Sequence, residues 1–316
     1  MSSLDLLAFG PSVDNRKNAI DNLLASYPLA WIVIHETLQN SIDAIQKSGK
    51  AEGSISILMD LDKEEIEITD NGRGFPYKFD LLLYGGTDKL KDPQGNLLGG
   101  NIGVGLKVVL FSSKDFKIES INNNQTWKLK VSDAYKYEQL DKLTPQIDEP
   151  KPSIAESGTK ITYSFPDRKV SDFIEYVFKE FFYSVEDKLA SDHLNKFKMA
   201  LEFYLRSYSY AGNLDRLLGR GKQKKTIITI KIACTQAPKR ATLSDPNLRG
   251  ILAQNSPVTI TFENKHWDVQ EAITRTLPGY PKPQPIVQDL PTGGGNSHDK
   301  DQIMFMSKNF LPKTKF

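Results

Sequence analysis

The clearest pattern of apolar and polar positions in the chain is a helical one, over residues 31–44 (WIVIHETLQNSIDA). At 3.6 residues per turn Glu36, Asn40 and Asp43 share one face, and another face is formed by Trp31, Ile34, Leu38, Ile42 and Ile45. His35 projects about 100° away from Glu36, so we expect it to pack or to lie at the surface. Because polar residues on one side of an amphipathic helix are ordinarily just solvated, this pattern alone predicts a helix and no chemistry.

Strands are predicted where apolar and polar residues alternate with period two, and helices where the spacing is close to 3.6. The predicted strands of the first half are residues 54–59, 65–69, 115–121, 126–131 and 160–165. Further helical spacing covers 16–26 and 105–112. Helices followed by antiparallel strands favour an α+β sandwich over residues 1–166.

The pattern changes after Pro166 to long helical segments with aromatic residues on their apolar faces, at 170–189 and 194–208. Strands at 226–233 and 258–262 and a helix at 269–276 follow. We therefore predict a second α+β domain over 167–277. Residues 278–316 contain PKPQP and PTGGGNS, which indicates a linker and tail.

Composition places the chain among ordinary globular proteins, with 39% hydrophobic and 25% charged residues in 316. A single cysteine, Cys234, and four scattered histidines give neither an intrachain disulfide nor zinc-type spacing. The longest apolar run, residues 29–34, is far shorter than the roughly 20 residues of a membrane span, and no export signal precedes it. We expect a cytoplasmic protein without a membrane partner.

Positive charge is concentrated in residues 206–250, which hold ten Lys or Arg and two Asp. Such a segment is typical of a surface that binds nucleic acid or an acidic protein partner. Solvated side chains at strand and loop edges explain it equally well, so the sequence leaves both interpretations open.

Three short motifs follow the opening helix: DNGRG at 70–74, GGNIGVGLK at 99–107 and Gly-Thr at 158–159. Asp70 follows a predicted strand, so its carboxylate can point into a pocket while the glycines let the backbone turn closely around a ligand. Residues 75–103 are rich in Gly, Asp, Lys and Pro, and we interpret 76–102 as a lid. Gly103 and Gly105 place backbone amides at a helix start, where phosphate binds well.

Taken in order, these motifs resemble those of the GHKL, or Bergerat-fold, ATPases over residues from about 17 to 166. The resemblance implies a Bergerat-fold α/β sandwich, an antiparallel-rich sheet with helices on one face, followed here by a second α+β domain. It also implies ATP and Mg²⁺ as ligands. The element GGTDK at 85–89, followed by IGVGLK, is most similar to the MORC and MutL branches.

By this resemblance Glu36 is the general base, Asn40 the magnesium ligand, and Asp70 with Thr159 the adenine site. The chemistry of these side chains agrees, since Mg²⁺ prefers oxygen ligands and a carboxylate can take a proton from an attacking water. The other predicted nucleotide contacts are Asp43, Gly72, Gly74, Thr87, Lys89, Gly103, Val104, Gly105, Leu106 and Lys107. In several relatives a lysine from the following domain completes the site, and the candidates for it here are Gln223, Lys224 and Lys225.

The sequence thus predicts an ATP-binding, slowly hydrolysing ATPase that acts as a nucleotide-dependent switch and dimerises with ATP. A DNA-associated or defence machinery would suit such a switch, with nucleic acid or protein bound through residues 206–250. Two alternatives use the same nucleotide site: a phosphotransferase of the histidine-kinase type, and a chaperone-like, ATP-gated interaction module.

Overall fold

The computed structural model describes residues 13–77, 105–137, 145–182, 193–210 and 224–263. The first half contains α1 (Val13–Ser26), a π-helical turn (Trp31–His35), α2 (Glu36–Gln46), β1 (Glu52–Asp60), β2 (Glu65–Asp70), α3 (Gly105–Ser112), β3 (Asp115–Asn122), β4 (Gln125–Ser132), β5 (Gln146–Ile147), β6 (Lys151–Pro152) and β7 (Gly158–Ser164). The second half contains α4 (Lys169–Val177), a second π-helical turn (Phe178–Phe182), α5 (His193–Tyr210), β8 (Lys225–Ala233), α6 (Ala237–Ala241), α7 (Pro246–Asn255) and β9 (Val258–Glu263).

The strands of the described residues form one mixed sheet in the order β5-β4-β3-β7-β2-β1-β8-β9, with β6 pairing to β4. All pairs are antiparallel except β1 with β8. Side chains along the long strands alternate between buried positions and exposed or half-buried ones. The buried face and the helices share one hydrophobic core, which confirms the predicted α+β sandwich with helices on one face.

The predicted domain boundary at residue 166 is not confirmed. Strand β8 pairs in parallel with β1 over its whole length, from Glu52 opposite Lys225 to Asp60 opposite Ala233. Strand β9 then extends the same sheet. A division into domains 1–166, 167–277 and 278–316 therefore stays a prediction, and residues 264–316 lie outside the described part of the chain.

Helix α4 is attached to the hairpin between β1 and β2 through Glu64. The backbone N–H groups of Val170 and Ser171 donate to Glu64 Oε2 at 2.9 and 3.0 Å, and Lys239 pairs with the same carboxylate. Glu64 thus accepts hydrogen bonds from N–H groups that have no partner within the helix, at the helix start, where a negative charge is favourable. This contact ties the second half of the chain to the sheet.

The predicted helices and strands are confirmed within a few residues of their ends wherever the structure describes them. The exceptions are the helix predicted at 31–44, which begins with the π-helical turn, the helix predicted at 170–189, which changes to a π-helical turn at Phe178, and the unpredicted β5, β6, α6 and α7. Asp245 begins α7, accepting hydrogen bonds from the N–H groups of Asn247 and Leu248. An Asp-Pro pair at 245–246 was the sequence signal for this start.

Candidate functional site

The site is built around α2, which packs on β1 and β2 with its apolar side buried in the core. Glu36 and Asn40, one turn apart, remain half-exposed on its other side. Asp43 differs from the prediction in being buried, and its carboxylate accepts a hydrogen bond from Gln39 Nε2 at 3.1 Å. Two of the three polar residues predicted on this face therefore open towards solvent.

The strand ends beneath α2 bring Asp70 and Thr159 together. Asp70 ends β2 and lies directly opposite Thr159 in the antiparallel pairing of β2 with β7. Both side chains are buried. The two residues predicted from separate motifs to share one function are thus neighbours in the sheet.

The Asp70 carboxylate is held by donors from three directions. Ser41 Oγ donates to Oδ2 at 3.0 Å, the Gly72 N–H donates to Oδ1 at 2.9 Å, and the Thr159 backbone adds a further hydrogen bond. Burial nevertheless raises the pKa of Asp70 to about 6, because desolvation outweighs these donors. Asp70 is therefore mostly ionised at pH 7 and becomes protonated in mild acid.

Sequence reasoning missed Ser41 as part of this site. Its hydroxyl reaches from α2 to the end of β2, so it joins the helix bearing Glu36 to the strand bearing Asp70. The available signal was its place: a small polar residue one turn from Leu38 and Ile45, which belong to the predicted apolar face.

The glycines of the DNGRG turn are required by close backbone contact. Gly74 has φ of +79°, and a Cβ there would lie 2.0 Å from the Ile121 carbonyl oxygen. A Cβ on Gly72 would lie 2.7 Å from the carbonyl carbon of Ala44 in α2. The turn is thus pressed between α2 and β3, which leaves no room for side chains at these two positions.

The residues after this turn are fixed to β3 and β4. The Phe75 N–H donates to Ser120 Oγ at 2.7 Å, and Trp127 Nε1 donates to the Phe75 carbonyl oxygen at 2.9 Å. The rings of Phe75 and Tyr77 pack on Trp127 with centroids 5.9 and 5.8 Å away. Trp127 is thus a buried packing residue, and it anchors the chain at the start of the predicted lid.

Glu36 lies against the beginning of α3. A Cβ on Gly105 would be 1.7 Å from Glu36 Oε2 and 2.2 Å from its carboxyl carbon, so the carboxylate fills the space beside the Gly105 Cα. Helix rise places Glu36 about 7.5 Å along the α2 axis from Ser41 and hence from the Asp70 end. Helix α2 therefore contacts two separate parts of the molecule: Glu36 lies against the start of α3, and Ser41 is bonded to the Asp70 carboxylate.

Lys107 lies in the first turn of α3 and is buried. Desolvation lowers the pKa of its ammonium group to about 8. A buried lysine of lowered pKa beside a helix N-terminus suits an anionic ligand, because a phosphate would restore the stability of the charged form. Leu106, its neighbour, is partly buried against the core.

Several predicted contacts lie outside the described residues: Thr87, Lys89, Gly103, Val104 and all of the predicted lid except Pro76 and Tyr77. Gln223 lies outside them as well. Lys224 donates to the carbonyl oxygens of Ile45 and Ser48 at the C-terminal end of α2, away from Glu36, and Lys225 pairs with Glu52 at 3.2 Å. These contacts do not support either lysine as the one that completes the site.

The basic segment at 206–250 is partly described, from 206 to 210 and from 224 to 250. There Lys239 pairs with Glu64, and Arg240 donates to the carbonyl oxygens of Cys234 and Thr235. With Lys224 and Lys225, four basic side chains of the segment thus pair within the fold, while Lys231 is exposed. Both interpretations of the segment stay open.

The described residues contain no cluster of three or more His, Cys, Asp or Glu suited to holding a metal ion. No helix among them is long and apolar enough to cross a bilayer. A magnesium ion held by one protein oxygen and by phosphate oxygens would not form such a cluster, so Asn40 remains compatible with that role.

Comparison with known proteins gives one family. A family model described as "Histidine kinase-, DNA gyrase B-, and HSP90-like ATPase" matches residues 27–159, which span α2, the DNGRG turn, α3 and the Gly-Thr start of β7. A search of curated proteins found no match.

Similar solved structures include the ATPase and transducer domains of DNA topoisomerase II from Balamuthia mandrillaris, at 21% identity and a TM-score of 0.35, covering 44% of this chain and 38% of that one. Two others are the ATPase region of Saccharomyces cerevisiae topoisomerase II, bound to ICRF-187 (dexrazoxane) in one case, at 16% and 15% identity. They have TM-scores of 0.38 and 0.39 and cover 64% and 63% of this chain. This chain spans 47% and 46% of the length of those two chains.

We predict that Gly158→Ala destabilises the protein by about 2 kcal/mol or more, because the new Cβ would lie 2.5 Å from the Asp70 backbone oxygen in the neighbouring strand. Chemical denaturation measures this loss. The matched control is Gly250→Ala in α7, where no atom lies within 4 Å of the new Cβ. It should stabilise the helix by up to about 1 kcal/mol. Equal stability of the two variants would contradict the close strand contact at Asp70.

Proposed function

Since residues 27–159 of this chain belong to the GHKL ATPase superfamily, we propose that it binds ATP with Mg²⁺ in the cleft beside α2 and hydrolyses the nucleotide slowly. The main support for this proposal is that α2 contacts two parts of the molecule. Its Ser41 is bonded to the Asp70 carboxylate, and its own Glu36 lies against Gly105. The adenine amine and the γ-phosphate are the opposite ends of ATP, and these two carboxylates suit those ends.

Asp70 binds the adenine ring in this proposal. An ionised carboxylate accepts hydrogen bonds only, so it recognises the exocyclic amine of adenine and is unpaired against the carbonyl of guanine. Ser41, Gly72 and Thr159 hold the carboxylate in place before nucleotide arrives. The resulting preorganisation supports selectivity for adenine nucleotides.

The phosphates bind at the start of α3. Its first N–H groups and Lys107 supply positive potential there, and the predicted contacts at Gly103 and Val104 immediately precede it. Asn40, half-exposed one turn after Glu36, would hold Mg²⁺ through its amide oxygen. When bound, the ion would neutralise charge on the phosphate oxygens during phosphoryl transfer.

Glu36 acts as the general base. Its carboxylate lies against the start of α3, so a water between it and the γ-phosphate would lose a proton to it as the water oxygen bonds to the γ-phosphorus. The bond from that phosphorus to the β–γ bridging oxygen would break, and ADP and phosphate would leave. Contacts that form with ATP and are absent with ADP then favour one of two conformations, so the bound nucleotide acts as a switch. We propose that the ATP state forms a homodimer and that Thr87 and Lys89 contact its phosphates.

Replacing the proposed base tests the hydrolysis. Glu36→Gln should reduce the rate of γ-phosphate release by about 100-fold or more and leave the Kd for ATP within about threefold, because general-base catalysis contributes in that range. Phosphate release under single-turnover conditions measures the rate. The control is Glu119→Gln on the outer face of the sheet, where Glu119 pairs with Lys128 and the rate should be unchanged. Similar, robust release by wild type and Glu36→Gln would remove Glu36 as the base.

The raised pKa of Asp70 predicts how ATP affinity depends on pH. An amine donating to the carboxylate stabilises its ionised form, so binding lowers the pKa of Asp70 below its free value of about 6. Affinity should therefore be constant above that value and fall as pH drops through it, approaching about tenfold per pH unit. Calorimetric titrations between pH 5 and pH 8 provide the measurement. In Asp70→Asn, binding should be weaker and lack this additional acid loss; an acid loss of the same size in both proteins would contradict adenine binding by Asp70.

A further inference from the structure

Glu36 follows a π-helical turn, and its direction depends on that turn. The Glu36 N–H bonds to the carbonyl oxygen of Trp31, five residues earlier, where an α-helix would bond four residues back. Each residue of a helix advances the side-chain direction by about 100°, so converting this turn to α-helix would rotate the residues before Glu36 relative to α2 and disturb its first turn. Glu36 is the first residue of α2, so the contacts that maintain the π-helical turn help to hold Glu36 against Gly105.

One set of contacts comes from the sheet. Tyr163 of β7 is fully buried, and its hydroxyl donates to the Val33 carbonyl oxygen at 2.6 Å. Thr37 Oγ1 lies 2.9 Å from the same hydroxyl and 3.0 Å from the Ile34 carbonyl oxygen. These hydroxyls satisfy carbonyl groups within the turn, which stabilises the irregular hydrogen bonding.

The other contact comes from α5, in the second half of the chain. His35 Nε2 lies 3.1 Å from the Tyr204 hydroxyl, and both side chains are buried. Burial lowers the pKa of His35 to about 3, so the ring is neutral at physiological pH. The Tyr204 ring also packs on Phe173 and Tyr176 of α4, with centroids 5.7 and 6.2 Å away. Tyr204 thus connects α4 and α5 to the residue directly before Glu36.

We propose that His35 and Tyr204 are positioning residues, which hold the turn so that Glu36 faces the start of α3 and through which α5 controls hydrolysis. This inference rests on the proposed function of Glu36. We expect the Asp70 carboxylate to depend much less on Tyr204, because Ser41 lies more than one turn further into α2 and because Gly72 and Thr159 hold the carboxylate from outside that helix. Losing the contact should therefore lower kcat and leave nucleotide affinity unchanged.

The test removes one hydroxyl group. Tyr204→Phe keeps the ring packing and should lower kcat about 10- to 100-fold, since small misplacements of a catalytic group have effects of this size. The KM for ATP should stay within about twofold. The control is Tyr137→Phe, which removes the hydroxyl that donates to Asp21 at 2.7 Å while its ring still packs on Phe111. It should leave kcat unchanged.

A double variant separates positioning from general weakening of the fold. In a Glu36→Gln background, Tyr204→Phe should cause no further loss of rate, because its effect acts through Glu36. His35→Gln, which keeps a hydrogen-bonding group for Tyr204, should retain more activity than His35→Leu. If Tyr204→Phe does not fold, these two His35 variants provide the same test.

The outcomes that overturn the inference are a wild-type kcat in Tyr204→Phe, an equal loss in Tyr137→Phe, or an additive loss with Glu36→Gln. They are distinct from failure of the proposed function. A wild-type protein that releases no phosphate overturns the ATPase assignment, and equal release without Glu36 removes Glu36 as the base; either result overturns this inference as well.

Discussion

The position of α2 is the constraint on which the rest of the site depends. Its buried apolar residues fix it on the sheet, where each fully buried Leu or Ile contributes roughly 1.5–3 kcal/mol through the hydrophobic effect. Ser41 then reaches Asp70, Ala44 meets Gly72, and Glu36 meets Gly105. Three separate stretches of sequence thus become the walls of one cleft because they all contact the same helix.

The Asp70 carboxylate shows how closely this arrangement is balanced. Desolvation alone disfavours a buried charge, and three hydrogen bonds only partly offset it, so the pKa remains raised at about 6. An additional donor on a ligand would complete the compensation. The free protein therefore holds a group whose charge is more stable with a ligand than without one, which is a common property of binding sites.

Much of the fold follows from the sequence, because the helix and strand periodicities reflect burial on one face. The central motif geometry also follows: Asp70 opposite Thr159, and Gly105 beginning α3. For His35 the sequence left packing and a surface position open; the side chain packs in the core, and its partner Tyr204 lies 169 residues away.

The remaining features depend on contacts that local patterns do not encode. The parallel pairing of β1 with β8 joins distant segments and extends one sheet across the predicted domain boundary. The π-helical turn before Glu36 is stabilised by Tyr163 and Tyr204 from other elements, so nothing in residues 31–35 alone distinguishes it from α-helix. Asp43 is buried through its contact with Gln39, and the lysines of the basic segment find their partners across the fold.

The proposed nucleotide site is tested most directly by a crystal structure with Mg²⁺ and a non-hydrolysable ATP analogue, accompanied by the solution mass of the complex. We expect the adenine amine at Asp70, the metal at Asn40, the γ-phosphate between Glu36 and the start of α3, and a mass twice that of the monomer. Nucleotide bound elsewhere, or an adenine ring that does not contact Asp70, would contradict it.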